Sequence, residues 1–271
     1  AIIFCLHYYL RIKKPDVIFV FGGYLAVPVA IAGWFLGIPI FAHEQTMAMG
    51  KANTLLLPIV TKMYLTWPIE QYKNNQKCQV VGMPLLEGTK KLELSHTVAA
   101  FIKPHKPLLL ISGGKQGSHF VNCLIEQSLE NLLKDWQIIH VTGENSKTQD
   151  FERLSIKRKS LAENIRQDYL IVPYVHDFLA ILNKSDLIIG RGGAHTVYEV
   201  IHFKKKMIVI PLPASSNNEQ LHNAKLLESL GLGLVLEQHQ ANPQSLAKAI
   251  QNIQSKTVDK RLLANKISML Q

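Results

Sequence analysis

Acidic residues are in short supply: the 271 residues carry 20 Asp and Glu against 30 Lys and Arg, a formal net charge of +10. That surplus favours a polyanionic partner, which could be nucleic acid, anionic lipid or a phosphorylated substrate. No dense Lys/Arg tract interleaved with aromatics is present, so no nucleic-acid partner is expected. Cysteine is scarcer still. Cys5, Cys78 and Cys123 are odd in number, far apart and form no metal-type pair. They are expected as reduced, buried thiols of a cytosolic protein. The histidines show no metal-ligand spacing, so no metal site is expected. No G-x-S-x-G and no Cys/His pairing supports a nucleophilic mechanism. Secretory signal, short-period repeat and low-complexity tract are all missing. The chain opens on Ala1, already inside an apolar stretch, and reads as a fragment.

What is present is an ordinary globular composition, 47% hydrophobic and 18% charged, long enough for two medium domains. Val17 to Ala42 runs 26 residues without a charge, enough to span a bilayer. Gly22, Gly23, Pro28, Gly33, Gly37 and Pro39 break it, however. The better reading is a strand (Val17–Phe21), a helix (about Leu25–Leu36) and a strand (Ile38–Ala42), buried on all sides.

Residues 1–14 read as the end of a helix that turns basic at Arg11, Lys13 and Lys14. After the unit above, His43-Glu44-Gln45-Thr46 sits at the carboxyl end of a strand. A short helix (Ala52–Pro58) and strands at Met63–Thr66 and Cys78–Val81 follow. Between Leu85 and His105 the pattern weakens and charge rises. The boundary falls there, giving an N-terminal domain, 1–87, and a second domain, 88–256. Residues 257–271 read as a final amphipathic helix that could return to the first domain. The second series has strands at Leu108–Ile111, Ile138–Val141, Leu170–Val172, Leu187–Ile189, Met207–Ile210 and Leu234–Leu236, alternating with helices. Such alternation implies a parallel, doubly wound sheet with right-handed crossovers. The N-terminal series has about four strands and no opening strand with its own glycine loop. It reads as roughly half of a Rossmann-type domain.

The stretch Asp186 to Val200, DLIIGRGGAHTVYEV, carries the strongest ligand signal. Leu187–Ile189 is a short buried strand, Gly190, Gly192 and Gly193 allow a tight turn and close approach, and a helix follows near Thr196–Phe203. A helix N-terminus at a glycine turn offers free N–H groups and a positive dipole end, which suits a nucleotide diphosphate. Glu199, one turn in, could take two ribose hydroxyls. A plain βα turn with a solvated Glu199 is equally open. Gly113-Gly114-Lys115-Gln116-Gly117 is a second glycine turn opening a helix. It matches neither G-x-G-x-x-G nor a Walker loop, and so is either structural or a phosphate cradle with Lys115 as a point charge. Pro173-Tyr174-Val175-His176-Asp177 could sandwich a flat base, or be a turn with Asp177 as N-cap. Pro211-Leu212-Pro213, then Asn217, Asn218, Glu219, Gln220 and Asn223, offers the amides and carboxylate that a polyhydroxylated sugar needs, or is a solvated loop. His43 and Glu44 could act as an acid/base pair, against a structural role at a strand end. Four of these signals fall at carboxyl ends of strands in one expected sheet.

The ordered motifs FGGY, IPIFAHEQT, VVGMP, ISGGKQG, VPYVHDF, DLIIGRGGAHTVYEV, IPLP and EQLHNA resemble the MurG family, glycosyltransferase family 28, of two-domain GT-B type. The resemblance covers nearly the whole chain. It implies two Rossmann-like doubly wound domains, the N-terminal one incomplete. The implied activity is inverting transfer of N-acetylglucosamine from its UDP donor to a muramoyl-pentapeptide on undecaprenyl diphosphate, in peptidoglycan synthesis, with no cofactor. It further implies uracil at Val175, the diphosphate region at Lys115 and at Ala194, His195 and Thr196, ribose at Glu199, and sugar near Gln220 and Asn223, with Gln116 and Gly193 also among the substrate-binding residues. Thr46 would stand in the acceptor region, with His43 or Glu44 as base. The N-terminal domain would hold the lipid acceptor and touch the anionic cytoplasmic face of the bacterial membrane peripherally. Departures from the family pattern stand at Thr46 and Met83 (Asn there), Leu86 (Arg), Lys115 (Ser) and Glu219 (an amide or histidine), and the family's N-terminal glycine-rich loop is absent. Alternatives are another GT-B glycolipid transferase, a UDP-sugar epimerase, or a non-catalytic UDP-sugar-binding module.

Overall fold

A computed structural model of the chain describes residues 2–83, 92–213 and 218–256, together with 258, 261, 263, 264, 267 and 268. Leu86, Asn217, the side chain of Cys5, the 85–91 part of the expected boundary and much of the expected final helix lie outside the described residues. The chain divides into two compact units, Ala1–Pro84 with Ala264–Gln271, and Leu85–Leu263.

In the first unit the order is α1 (Ile2–Lys13), β1 (Ile18–Val20), α2 (Ala26–Phe35), β2 (Ile40–Glu44), α3 (Lys51–Leu56), β3 (Lys62–Leu65) and β4 (Cys78–Val80). The four strands pair in parallel in the order β1-β2-β3-β4, all wound in one direction. Glycine and proline cut the uncharged stretch into β1, α2 and β2, and no described helix is long and apolar enough to cross a membrane. The expectation that this stretch is buried on all sides is wrong. Strand residues alternate between two faces: Ile18 and Val20 join a core with Ala26, Ala30 and Ala32 of α2, while Phe19 is exposed. Phe21, Tyr24, Leu25, Trp34 and Phe35 are exposed as well. The fit on the inner side is close. A Cβ on Gly33 would stand 2.2 Å from Ile18 Cδ1.

The second unit comprises α4 (His96–Phe101), β5 (Leu108–Ser112), α5 (His119–Asp135), β6 (Gln137–Val141), α6 (Asp150–Ser160), α7 (Glu163–Arg166), β7 (Tyr169–Val172), α8 (Phe178–Lys184), β8 (Leu187–Gly190), α9 (Ala194–His202), β9 (Met207–Val209), α10 (Glu219–Ser229), β10 (Gly233–Val235) and α11 (Pro243–Ser255). Its six parallel strands run β10-β9-β8-β5-β6-β7. The first strand of the unit is therefore central and the order reverses between β5 and β8. That is the doubly wound arrangement, whose ligands gather at the reversal, beyond the carboxyl ends of the strands. β5, β6, β8 and β9 are buried along their whole length, which explains the apolar runs Leu108–Ile111, Leu187–Ile189 and Met207–Val209. α11 starts on a capping box: Asn242 Oδ1 accepts from the backbone N–H of Gln244 and Ser245 at 3.0 Å each, and Ser245 Oγ accepts from Asn242 N.

One polar network is buried in this core. His140 Nε2–H donates to Asn122 Oδ1 at 3.0 Å, and its Nδ1 accepts from the Tyr169 hydroxyl at 2.9 Å. Asn122 in turn donates to Thr142 O and Asp150 Oδ2. Burial pushes the His140 imidazole down to about 3, so it stays neutral, and pushes the Tyr169 phenol up. Cys78 and Cys123 are free but only partly buried, contrary to expectation, because both sit where their elements meet solvent.

Candidate functional site

The reversal point brings two glycine loops side by side. Ser112 at the end of β5 lies in register with Gly190 at the end of β8, and a Cβ on Gly190 would stand 2.2 Å from Ser112 O. The first loop, 113–117, leads into α5, whose N-cap Ser118 accepts from Val121 N. Gly114 and Gly117 have φ of +87° and +78°, the left-handed region that glycine tolerates. The second loop, 191–193, leads into α9, which starts at Ala194 rather than at the expected Thr196.

The glycines divide by task. Gly192 is there for packing, since a Cβ would meet Gln220 O at 2.4 Å. Gly117 also packs closely, 1.9 Å from Thr142 O by the same measure. Around Gly114 and Gly193, by contrast, a Cβ would meet nothing within 4 Å. Gly193, the N-cap of α9, thus bares backbone to open space at a helix start, where an anion can approach the N–H groups. Gly114, four residues ahead of the α5 cap, also faces open space, with its own N–H donating to Ser112 Oγ at 3.2 Å. Lys115 and Gln116 are exposed on the first loop. Thr196 is half-buried, His195 exposed and Ala194 buried in the first turn of α9.

Glu199 lies farther along α9 and is half-buried. Burial raises its carboxyl from 4.5 to about 7, and among the described residues no charge or hydrogen bond offsets that cost. A carboxylate so placed lacks donors, and a vicinal pair of hydroxyls would supply them. Gln220 and Asn223 sit on α10 against the second loop. Asn223, fully buried, donates to Gly192 O at 3.0 Å, and Gln220 Oε1 accepts from Leu212 N at 3.0 Å. Both amides thus hold backbone on the rim of the site.

Sequence reasoning passed over Arg191. Its Nε donates to Ser118 Oγ at 3.0 Å, and one terminal nitrogen donates to Ile210 O at 3.0 Å and Pro211 O at 3.1 Å. One guanidinium therefore ties together the loops after β5, β8 and β9. The signal was available: an arginine between glycines after a buried strand needs partners that only neighbouring strand ends can supply.

The segment after β7 holds Val175, half-buried, between exposed Tyr174 and His176, whose rings meet edge-on at 4.9 Å. Asp177 occupies the N-cap position of α8 but does not cap it. Its Oδ2 accepts from Ser95 N at 2.7 Å instead, tying down the segment before α4.

In the first unit, His43 and Glu44 lie within β2, not beyond it, and both are buried. Glu44 accepts four hydrogen bonds: from Thr46 N and Thr46 Oγ1 on one oxygen, and from Gly50 N and Asn53 Nδ2 on the other. Its carboxylate closes the loop from β2 to α3. His43 Nε2 lies 3.0 Å from Gly82 O, and a carbonyl only accepts, so the proton is on Nε2. Nδ1 then carries a lone pair with no partner among the described residues.

Two family descriptions match the chain: the glycosyltransferase family 28 C-terminal domain over residues 108–268, and the N-terminal domain of the same family over residues 3–65. The UDP-N-acetylglucosamine–N-acetylmuramyl-(pentapeptide) pyrophosphoryl-undecaprenol N-acetylglucosamine transferase of Clostridium botulinum strain 657 is 34% identical over 252 residues, 90% of this chain and 67% of the relative. The transferase of the same name from strain Loch Maree is 35% identical over 249 residues, 89% of this chain and 66% of the relative. The chain thus spans about two thirds of the length of these relatives. Among solved structures, Acinetobacter baumannii MurG superposes with a TM-score of 0.72 at 24% identity, covering 99% of this chain and 73% of that one. That likeness bears on the fold, two parallel sheets of the GT-B kind, the first smaller.

Proposed function

The chain belongs to glycosyltransferase family 28, and from that membership we propose that it carries the donor half of an inverting transfer of N-acetylglucosamine from UDP-N-acetylglucosamine to a muramoyl-pentapeptide on undecaprenyl diphosphate. The observation that carries the donor assignment is the pairing of two open glycine loops at the β5/β8 reversal with Glu199, a half-buried carboxylate without donors among the described residues. The diphosphate lies against Gly193 to Thr196 and the Gly114 segment, with Lys115 and Gln116 at its edge. The ribose hydroxyls donate to Glu199, the uracil stacks by Val175, and the sugar extends toward the Gln220–Asn223 rim.

In this reading the acceptor hydroxyl attacks the anomeric carbon from the face opposite the leaving diphosphate, so the configuration inverts. Negative charge grows on UDP as the bond breaks. Helix N-termini and Lys115 stabilise it more in the transition state than in the ground state, which is what accelerates the step. The base is assigned to His43, whose buried Nδ1 has no partner among the described residues, while Glu44, through its four donors, positions the loop that bears Thr46. Contact with an anionic, cytoplasmic membrane surface is supported by exposed Phe4, Tyr8, Tyr9 and Ile12 on α1 and Trp34 and Phe35 on α2, beside Arg11, Lys13 and Lys14.

The test is a transfer assay with radiolabelled UDP-N-acetylglucosamine and the lipid-linked muramoyl-pentapeptide. Label in the lipid phase supports the proposal. Nucleotide binding without transfer to that acceptor leaves a donor-binding module, and transfer only to another glycolipid rejects the acceptor assignment.

A further inference from the structure

Asp177 stands between the segment that follows β7 and the first turn of α8. It occupies the N-cap position of that helix, yet its side chain makes no capping bond. Its Oδ2 accepts instead from Ser95 N at 2.7 Å, a bond that closes a separation of 82 residues along the chain. Ser95 in turn occupies the N-cap position of α4, the first helix after the division between the two units at Pro84 and Leu85. Ser95 is exposed and Asp177 half-buried, so the bond lies at the surface.

Tying Ser95 and capping α8 demand different backbones. An N-cap residue holds an extended conformation, from which its side chain turns back on the N–H groups of the first turn. Asp177 has φ −96° and ψ 29° instead. Capping α8 would swing ψ by roughly 70° to 150°, into the extended region. That rotation turns the chain before Asp177 relative to the helix after it. The chain before it is Tyr174-Val175-His176, with half-buried Val175 between two exposed rings that meet edge-on at 4.9 Å. The bond to Ser95 thus selects one of two orientations of this segment.

From this we propose that Asp177 is a positioning residue for the nucleobase: its bond to Ser95 holds residues 174–176 in the arrangement that receives the uracil. This rests on the placement of uracil at Val175 proposed above. Asp177 does not touch the nucleotide; it acts through the segment that does. The Ser95 bond and the base are then energetically linked, and each strengthens the other by the same factor. A bond that served merely to fasten α4 would be as firm with nucleotide as without it.

Two substitutions break the bond from opposite sides. Asp177→Ala removes the acceptor. Ser95→Pro removes the N–H donor, and Ser95 already has φ −57°, close to the value that the proline ring imposes. The bond lies at the surface and α8 has no cap from Asp177 to lose, so both variants are expected to fold. Each is expected to weaken UDP and uridine binding, measured by calorimetry, by about fivefold or more and by the same factor for both ligands. The double variant is expected to bind no more weakly than either single one, because both remove one interaction. Hydrogen exchange at the Ser95 amide, read by NMR and needing no variant, is expected to slow by a similar factor when UDP saturates the wild-type chain. Unchanged UDP affinity in both single variants, a loss confined to UDP, additive losses in the double variant, or Ser95 exchange that UDP leaves unaltered would each overturn the coupling while the donor site stands. Absence of UDP binding in the wild-type chain would reject the donor reading, and the coupling with it.

Discussion

Replacing Glu199 by glutamine tests the donor site through two opposite effects. Burial holds the carboxyl at about 7 in the folded chain against an ordinary 4.5, with no compensating group among the described residues. The folded state therefore binds a proton that the unfolded state has released. Stability contributed by this group is complete below pH 4.5 and is lost as pH rises toward 7. Discounted for the wetted part of the side chain, the ionised carboxylate costs about 2 to 3 kcal/mol at pH 8. Glu199→Gln keeps the shape and removes the charge, so the ligand-free protein should gain stability at pH 8, up to that amount, and little at pH 4.5. Chemical denaturation at the two pH values measures the difference.

Ligand binding should move the other way. If two ribose hydroxyls donate to the carboxylate, each bond to a charged acceptor contributes roughly 1.5 to 3 kcal/mol, and a neutral amide recovers only part of it. UDP affinity in Glu199→Gln should fall by about ten- to a hundredfold at pH 8, or about 1.4 to 2.7 kcal/mol. At pH 6 the wild-type carboxyl is mostly protonated before binding, so the gap between the two proteins should narrow. Because UDP itself titrates in this range, the quantity to read is the wild-type-to-variant ratio at each pH, by calorimetry. A ratio near one at pH 8, or a ratio that does not change with pH, would refute the assignment of ribose to Glu199.

Arg191→Lys replaces a fork that reaches three loops with a single ammonium; loss of two charge-assisted bonds should destabilise the fold by about 2 to 4 kcal/mol, read by thermal unfolding, with weaker UDP binding. Gly193→Ala should leave stability within about 0.5 kcal/mol, because its Cβ meets nothing, yet it should impair diphosphate binding measured with UDP against uridine. Gly192→Ala, which forces a Cβ to 2.4 Å from Gln220 O, should instead destabilise the fold itself. Tyr169→Phe strips the donor from buried His140 Nδ1 and should cost about 1 to 3 kcal/mol, with the loss measured by urea unfolding.

The same network makes a prediction about acid. His140 is depressed from 6.5 to about 3 by burial, so the unfolded state binds the extra proton and stability present above pH 6.5 is lost as pH falls toward 3. Glu199 acts with the opposite sign between 4.5 and 7. Where the two windows overlap, from 4.5 to 6.5, their slopes oppose each other. Glu199→Gln should therefore expose a rise of stability with pH in that interval that the wild-type chain conceals. A flat profile in the variant would mean that His140 is not held neutral by the fold.

How far such a site can be read from residues alone depends on where each group finds its partner. The two glycine loops were legible because a buried parallel strand leaves an unbroken apolar run, and the turn that ends it must change direction within a few residues. Leu108–Ser112 and Leu187–Gly190 announce themselves in that way, and the glycines follow at once. Glu199 was legible because its place along a helix is a matter of counting. Asp177 was not: local spacing made it a cap, and only the return of Ser95, far upstream, draws the carboxylate away. Arg191 failed to stand out for the same reason, its acceptors lying at the ends of two other strands. The aromatic stretch around β1 and α2 failed differently. Uniform hydrophobicity says that a segment avoids charge, whereas burial depends on whether a neighbour covers each face, and the outer face of Phe19, Trp34 and Phe35 is uncovered among the described residues. Backbone-encoded features are thus readable in sequence. Charged side chains that close loops acquire their meaning only when the sheet order sets two strand ends together, which is why the order reversal between β5 and β8 explains more of this site than any single motif does.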